Sequence, residues 1–281
     1  MKMHFLVLAL LALPAQAERV ELNFDFDDNL VFTDAKIHPK HNKTGKEASL
    51  STQEWAAARE QMGKPGKWKD YSAPADAFRE VTDSTPDGTA LFPKQVKAVI
   101  AKPKTAWQGP AWKSFVRAMG NPENRATTGI ITARRHSVDS TYAALKVLFD
   151  QGLLPALPDK AGLFVVMDPG FPTEFQAPTI PERKAKVMLH LLDRLDKIPL
   201  PAGATQTHLW GFSDDDYGNI LTAEQTLGPQ VAAKRWPHTK VLLAFTGLNH
   251  PLEKPRCEVL ATGGKPRPCT GAEENASFKV P

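Results

Sequence analysis

The chain has 281 residues, 42% of them hydrophobic, and a formal net charge of +4. Such a length and composition suit one large globular domain, or a core with an insertion, and exclude a disordered or fibrous chain. The small charge comes from scattered basic residues and leaves no footprint for nucleic acid or an anionic membrane surface.

The chain opens MKMHFLVLALLALPAQA, a basic start, an apolar run over residues 5–13, Pro14 and a small-x-small Ala15-Gln16-Ala17. This is the grammar of a signal peptide over residues 1–17, cleaved after Ala17. The apolar run is about half the ~20 residues that a membrane-crossing helix needs, so no membrane span is expected and the chain is expected to be exported, periplasmic or secreted. Strands are predicted over 20–26, 128–132, 163–167, 207–212 and 240–246. Helices fall between them, at 139–151 behind a capping Ser137, at 181–197 opened by Pro181, and at 222–235. The alternation predicts an α/β fold, a parallel sheet with covering helices.

Residues 37–110 break that rhythm, with frequent Lys, Pro and Gly, three tryptophans (Trp55, Trp68, Trp107) and short helices at 51–61 and 93–101. They read as a cap or lid inserted into a core of residues 18–36 and 111–248, or equally as surface loops pinned by buried tryptophans. Residues 249–281 read as an irregular tail. Its Cys257 and Cys269 are the chain's only cysteines, and in an exported protein a small disulfide loop is expected over a zinc site.

Four segments carry chemistry. Leu22-Asn23-Phe24-Asp25-Phe26-Asp27-Asp28-Asn29 is an apolar strand that runs into carboxylates, at the sheet edge where open α/β folds bind ligands. Asp25 is placed to attack phosphorus, Asp27 to exchange a proton with the leaving oxygen, and the cluster to hold a hard cation. An EF-hand is excluded because Leu30 stands at the required glycine and Lys36 at the closing glutamate. The competing reading of this segment alone is a solvated acidic turn. Thr132 ends the next strand, with Ala133 and Arg134 after it, and offers hydroxyl and backbone donors to a phosphoryl group. Lys184 lies about 30° from the centre of its helix's apolar stripe, whereas Lys186 lies nearly opposite it and reads as a surface lysine. Finally His208-Leu-Trp-Gly-Phe-Ser213 discharges into Asp214, Asp215 and Asp216, whose mutual repulsion a divalent metal would relieve.

In this order the segments resemble the four motifs of the haloacid dehalogenase (HAD) superfamily of phosphohydrolases, over residues 20–247 without the insertion. The resemblance implies a Rossmann-like core and an aspartyl-phosphate on Asp25, with Asp27 as general acid and then general base. It further implies that Thr132, Ala133, Arg134 and Lys184 hold the phosphoryl group, and that Mg2+ is bound by Asp25, Asp27 and Asp214 or Asp215. Two aspartates in the first motif favour phosphate-ester chemistry over dehalogenation, and the family includes exported acid phosphatases. Asn29 stands where threonine is commoner, and Ser213 where glycine is frequent. The expected function is hydrolysis of a small phosphomonoester. The alternatives are transfer of the phosphoryl group to an alcohol, and a non-catalytic protein that binds a cation or a phosphorylated ligand. Of Arg134, Arg135 and His136, at least two are expected in a solvated turn. Asp168 is expected to serve its own turn, and His208 to be a packed histidine.

Overall fold

The computed structural model describes residues 19–59, 61–83, 90–200, 208–248, 253–261 and 265–278. The expected signal peptide lies outside these residues. In chain order they form β1 (Val20–Phe24), β2 (Lys40–His41), α1 (Thr52–Arg59), β3 (Tyr71–Ser72), a 3-10 stretch (Ala75–Val81), α2 (Leu91–Ile100), α3 (Lys104–Trp107), α4 (Trp112–Gly120), α5 (Pro122–Arg125) and β4 (Gly129–Thr132). Then follow α6 (Val138–Asp150), β5 (Leu163–Val165), α7 (Ile180–Asp196), β6 (His208–Asp214), α8 (Tyr217–Ala232), β7 (Thr239–Phe245), β8 (Arg256–Leu260), β9 (Arg267–Pro268) and α9 (Gly271–Ala276).

Seven strands form the central sheet in the order β5-β4-β1-β6-β7-β8-β9. The pairs from β5 through β7 are parallel, and β8 and β9 add antiparallel to the end. Helices cover both faces, so the inner strands are buried on both sides, and β1 carries Glu21 and Asn23 buried between its apolar residues. On one face Leu22, Phe24 and Ile130 pack with Phe92, Phe115 and Leu145 of α2, α4 and α6. On the other, Trp210, Phe212 and Leu243 pack with Met188, Leu192, Ala223 and Leu227 of α7 and α8. Each layer hides the apolar surface of the next, which fixes the α/β/α order.

Helix starts follow their caps. The Ser137 side chain accepts from the Ser140 N–H to start α6, and Thr179 and Glu182 form a reciprocal capping box for α7, with Pro181 in its first turn. Helix α8 begins at Tyr217, not near residue 222, because Asp216 caps it by accepting from the Gly218 N–H at 2.9 Å. Strand β1 ends at Phe24 rather than 26. Asp28 adopts φ +57°, and the chain reverses so that the Leu30 and Val31 N–H groups donate to the Phe26 carbonyl at 3.0 and 3.1 Å.

The irregular interval contains two kinds of structure. The β2–β3 ribbon, α1 and the 3-10 stretch surround a small cluster of Leu50, Ala58 and Trp68, whereas α2 and Trp107 belong to the main core. The tail differs from the irregular wrap expected of it: it supplies β8, β9 and α9, and its Phe278 packs edge-on against Phe24 at 5.3 Å. That seat requires Gly211, where a Cβ would meet the Phe278 ring at 2.6 Å. Cys257 of β8 and Cys269 just beyond β9 are joined in a disulfide, as expected. Among the described residues no helix is long and apolar enough to cross a membrane.

The disulfide closes a loop of sequence separation 12. Its reduction is expected to lower stability by about 2–3 kcal/mol, through the freedom restored to the unfolded chain. A thermal unfolding midpoint that does not move when reductant is added would contradict this.

Candidate active site

Strand β1 is the switch point of the sheet, because its neighbours β4 and β6 lead the chain to opposite sides. A crevice opens at the carboxyl ends of such strands. The register aligns Phe24 with Ile130 and with Ser213, so the residues that follow β1 and end β4 and β6 emerge on one edge. There Asp25, Thr132, Lys184, Asp214 and Asp215 line a cavity of about 220 Å³.

Asp25 continues the ladder, its N–H donating to the Ser213 carbonyl at 2.9 Å. The loop behind it is stapled by Asn29, which is fully buried. Its Nδ2 donates to the Asp25 carbonyl at 3.0 Å and to the Ser213 Oγ at 3.0 Å, while its Oδ1 accepts from Thr246 at 2.7 Å. One amide therefore ties the ends of β1, β6 and β7. Asp28 is buried and held by the Thr52 hydroxyl of α1. Burial pushes its carboxyl up to about 7, against the pull of that hydrogen bond.

Lys184 sits where helix phase put it, 1% exposed, its Nζ 2.6 Å from Asp25 Oδ1 and 2.7 Å from Asp214 Oδ2. Burial opposes its charge, but Asp214 and Asp25 outweigh that penalty and hold the ammonium above its usual range. Lys186 is at the surface, donating to the Gln176 carbonyl at 2.7 Å. Asp214 also accepts from the Asp216 N–H and from Asn219 Nδ2, both at 2.9 Å. Asp215 lies under Gly247, a glycine that the close approach requires, since a Cβ there would stand 2.4 Å from the Asp215 carbonyl oxygen.

Carboxylate oxygens of Asp25, Asp214 and Asp215 lie within 4.8 Å of one another. Burial raises the pKa values of Asp25 and Asp215 well above the usual range. Lys184 opposes the shift at Asp25, and the charges of Asp214, Asp28 and Asp25 add to it at Asp215. Burial also raises Asp214, again with Lys184 opposing it. The Lys184 ammonium reaches only two of these three crowded carboxylates, Asp25 and Asp214. A hard divalent cation fits this all-oxygen donor set and would supply the missing positive charge.

Asp216 is not in that cluster. It caps α8 and pairs with Arg59 of α1. Nor is Asp27, which was expected beside the metal: Arg134 Nε and Nη2 grip its two oxygens at 2.7 and 2.5 Å, and Thr33 donates to one of them at 3.2 Å. Arg134, expected against the phosphoryl group, is thereby turned onto Asp27, with its guanidinium 3.8 Å over the Phe92 ring. The Thr132 hydroxyl is buried and has no partner among the described residues. Ala133 lines the same cavity.

No family model, curated protein or solved structure matches the chain.

The segment after Thr132 is not the solvated turn expected, because Arg134 is 3% exposed and His136 is fully buried. Asp168 serves as its own turn's acceptor, from the Gly170 N–H at 2.8 Å, and also caps α6 through the Val138 N–H at 3.1 Å. His208 is packed as expected, 3% exposed with Nε2 3.0 Å from the Ile198 carbonyl. Sequence reasoning missed the staple made by Asn29, the hold of Arg134 on Asp27, and Trp55 and Phe78 in the cavity wall. Only Asn29 left a local signal, an amide at a turn position.

His136 stacks on Phe92 at 4.6 Å, and burial, with the Arg134 charge beside it, pushes its pKa from 6.5 down to about 2. Between those values the unfolded chain takes a proton that the folded chain refuses. Its contribution to stability is therefore complete above pH 6.5 and is lost as pH falls, by up to about 1.4 kcal/mol per pH unit. The raised carboxylates of Asp25, Asp28, Asp214 and Asp215 act with the opposite sign, so the His136 contribution is read as the difference in urea unfolding free energy between wild type and His136→Phe from about pH 7 to about pH 4. A difference that does not change with pH would assign the acid sensitivity elsewhere.

Proposed function

We propose that the protein is a magnesium-dependent phosphohydrolase of the HAD type that releases inorganic phosphate from a small phosphomonoester outside the cytoplasm. The observation that carries this reading is the buried Lys184 bridging Asp25 and Asp214, in the same cavity as a Thr132 hydroxyl with no partner among the described residues. A cation, an unpaired donor and a nucleophilic carboxylate converging at a switch point suit a tetrahedral dianion better than a neutral ligand.

In this mechanism Thr132 and Lys184 hold the non-bridging phosphoryl oxygens, with the backbone at Ala133 as a further donor. An Asp25 oxygen attacks phosphorus in line. The bond to the leaving oxygen breaks as Asp27 gives up its proton, and an aspartyl-phosphate remains on Asp25. Asp27 then takes a proton from water, which attacks the same phosphorus and restores the Asp25 carboxylate. Arg134 and Thr33 hold the Asp27 carboxyl group in place, and because the Arg134 contact favours its ionised form, that ion pair loosens each time Asp27 takes up a proton in this reading. Magnesium held by Asp25, Asp214 and Asp215 would offset the charge on the phosphate.

The ribbon, α1 and the 3-10 stretch act as the cap in this reading, since Trp55 and Phe78 of that region line the cavity. The disulfide supports export, because such bonds persist in oxidising compartments. A screen of phosphate release from nucleotides, sugar phosphates and other monoesters, with magnesium and with chelator, tests the assignment. Turnover that chelation abolishes is expected; tight binding of phosphoesters with no release from any of them would make the protein a binder instead.

A further inference from the structure

The same cavity carries apolar side chains beside its acids. Trp55 of α1 meets Phe78 edge to face at 5.4 Å, and Ile37, Val81, Met167 and Ile180 also line it. The planar guanidinium of Arg135 packs 4.2 Å over the Phe78 ring and extends the flat surface. The polar side chains of α1 at this end are already engaged, Thr52 with Asp28 and Arg59 with Asp216. A polyhydroxylated leaving group would therefore enter a wall whose one free set of donors, among the described residues, is the rim of the Arg135 guanidinium, and burying its remaining hydroxyls unpaired is unfavourable. At about 220 Å³ the cavity is also smaller than the ~300–1,000 Å³ of sites that take drug-sized ligands. A phosphoryl group seated against Lys184 and Thr132 takes part of that space, so the cavity suits a compact leaving group.

We propose that the substrate is the phosphomonoester of a compact, largely apolar alcohol, its carbon skeleton lying against Trp55 and Phe78. The inference rests on the phosphohydrolase reading, with water as co-substrate and the free alcohol and inorganic phosphate as products.

The test compares benzyl phosphate with glycerol 3-phosphate and glucose 6-phosphate in the presence of magnesium. All three release an alkoxide-type leaving group, so intrinsic reactivity does not decide the ranking. A kcat/KM for benzyl phosphate at least about tenfold above the other two is expected. Trp55→Ala and Phe78→Ala should shrink that ratio at least about fivefold, mainly through KM for benzyl phosphate, and Trp55→Phe should restore most of it. The wild-type ratio stands by itself if an alanine variant fails to fold. Equal or reversed preference, in a protein whose turnover is lost in Asp25→Asn, overturns the substrate class and leaves the phosphohydrolase standing. Release from none of the three esters, nor from the wider screen, overturns both.

Discussion

Replacing Asp25 with asparagine is expected to reduce phosphate release on the order of 10⁴-fold or more while the fold is kept, because the amide cannot form the acyl phosphate. The same change should not destabilise the metal-free protein. Burial and the neighbouring acids already disfavour the Asp25 carboxylate, and an amide of the same shape removes one charge from a crowded group. Wild-type protein should gain thermal stability from added magnesium, since the cation relieves that crowding and binds only the folded chain. Asp25→Asn should gain much less. Melting curves of both proteins with and without magnesium check the pair of statements. A variant that keeps its turnover would remove Asp25 from the chemistry.

Lys184→Met should be the costliest single change at the site. It strips the ammonium from between Asp25 and Asp214, two carboxylates that water barely reaches. Breaking a buried pair in this way costs about 3–5 kcal/mol, because the remaining carboxylates lose their cation while water still barely reaches them. Turnover should vanish as well. The double variant Lys184→Met with Asp214→Asn should regain part of the lost stability and none of the activity, which separates burial of charge from catalysis. Lys186→Met serves as the control and should shift stability by less than about 0.5 kcal/mol, its side chain being exposed. Denaturant unfolding of the four proteins decides the order, and a Lys184→Met protein as stable as the control would refute the account.

The parts of this molecule legible in the sequence are those governed by short-range patterns. Apolar runs gave away β1, β4, β5, β6 and β7, and the capping Ser137 and the opening Pro181 gave away the starts of α6 and α7, because periodicity and helix-start signals act within a turn or two. Lys184 was separable from Lys186 by helix phase for the same reason. What was not legible depends on residues far apart in the chain. The grip of Arg134 on Asp27 spans 107 positions, and the bond from Asn29 to Ser213 spans 184. No local pattern reports such a contact. That second bond joins Asn29 and Ser213, the two residues that differ from the commoner ones in the motifs the sequence resembles, so the amide and the hydroxyl form one unit. The tail misled for a related reason. Its Pro and Gly content describes turns, while its role as β8 and β9 depends on the free edge of β7, which lies elsewhere.

The ends of the central sheet have a consequence for how the chain behaves in company. At one rim stands β5, three residues long, and at the other β9, two residues long and ending in Pro268. Proline has no N–H to offer an incoming strand, and so short a rim presents few groups to zip against. The seven-residue strands β6 and β7, which would make an adhesive template if bared, are walled in between these blunt margins. Copies of the protein crowded together therefore lack an invitation to polymerise through their sheets.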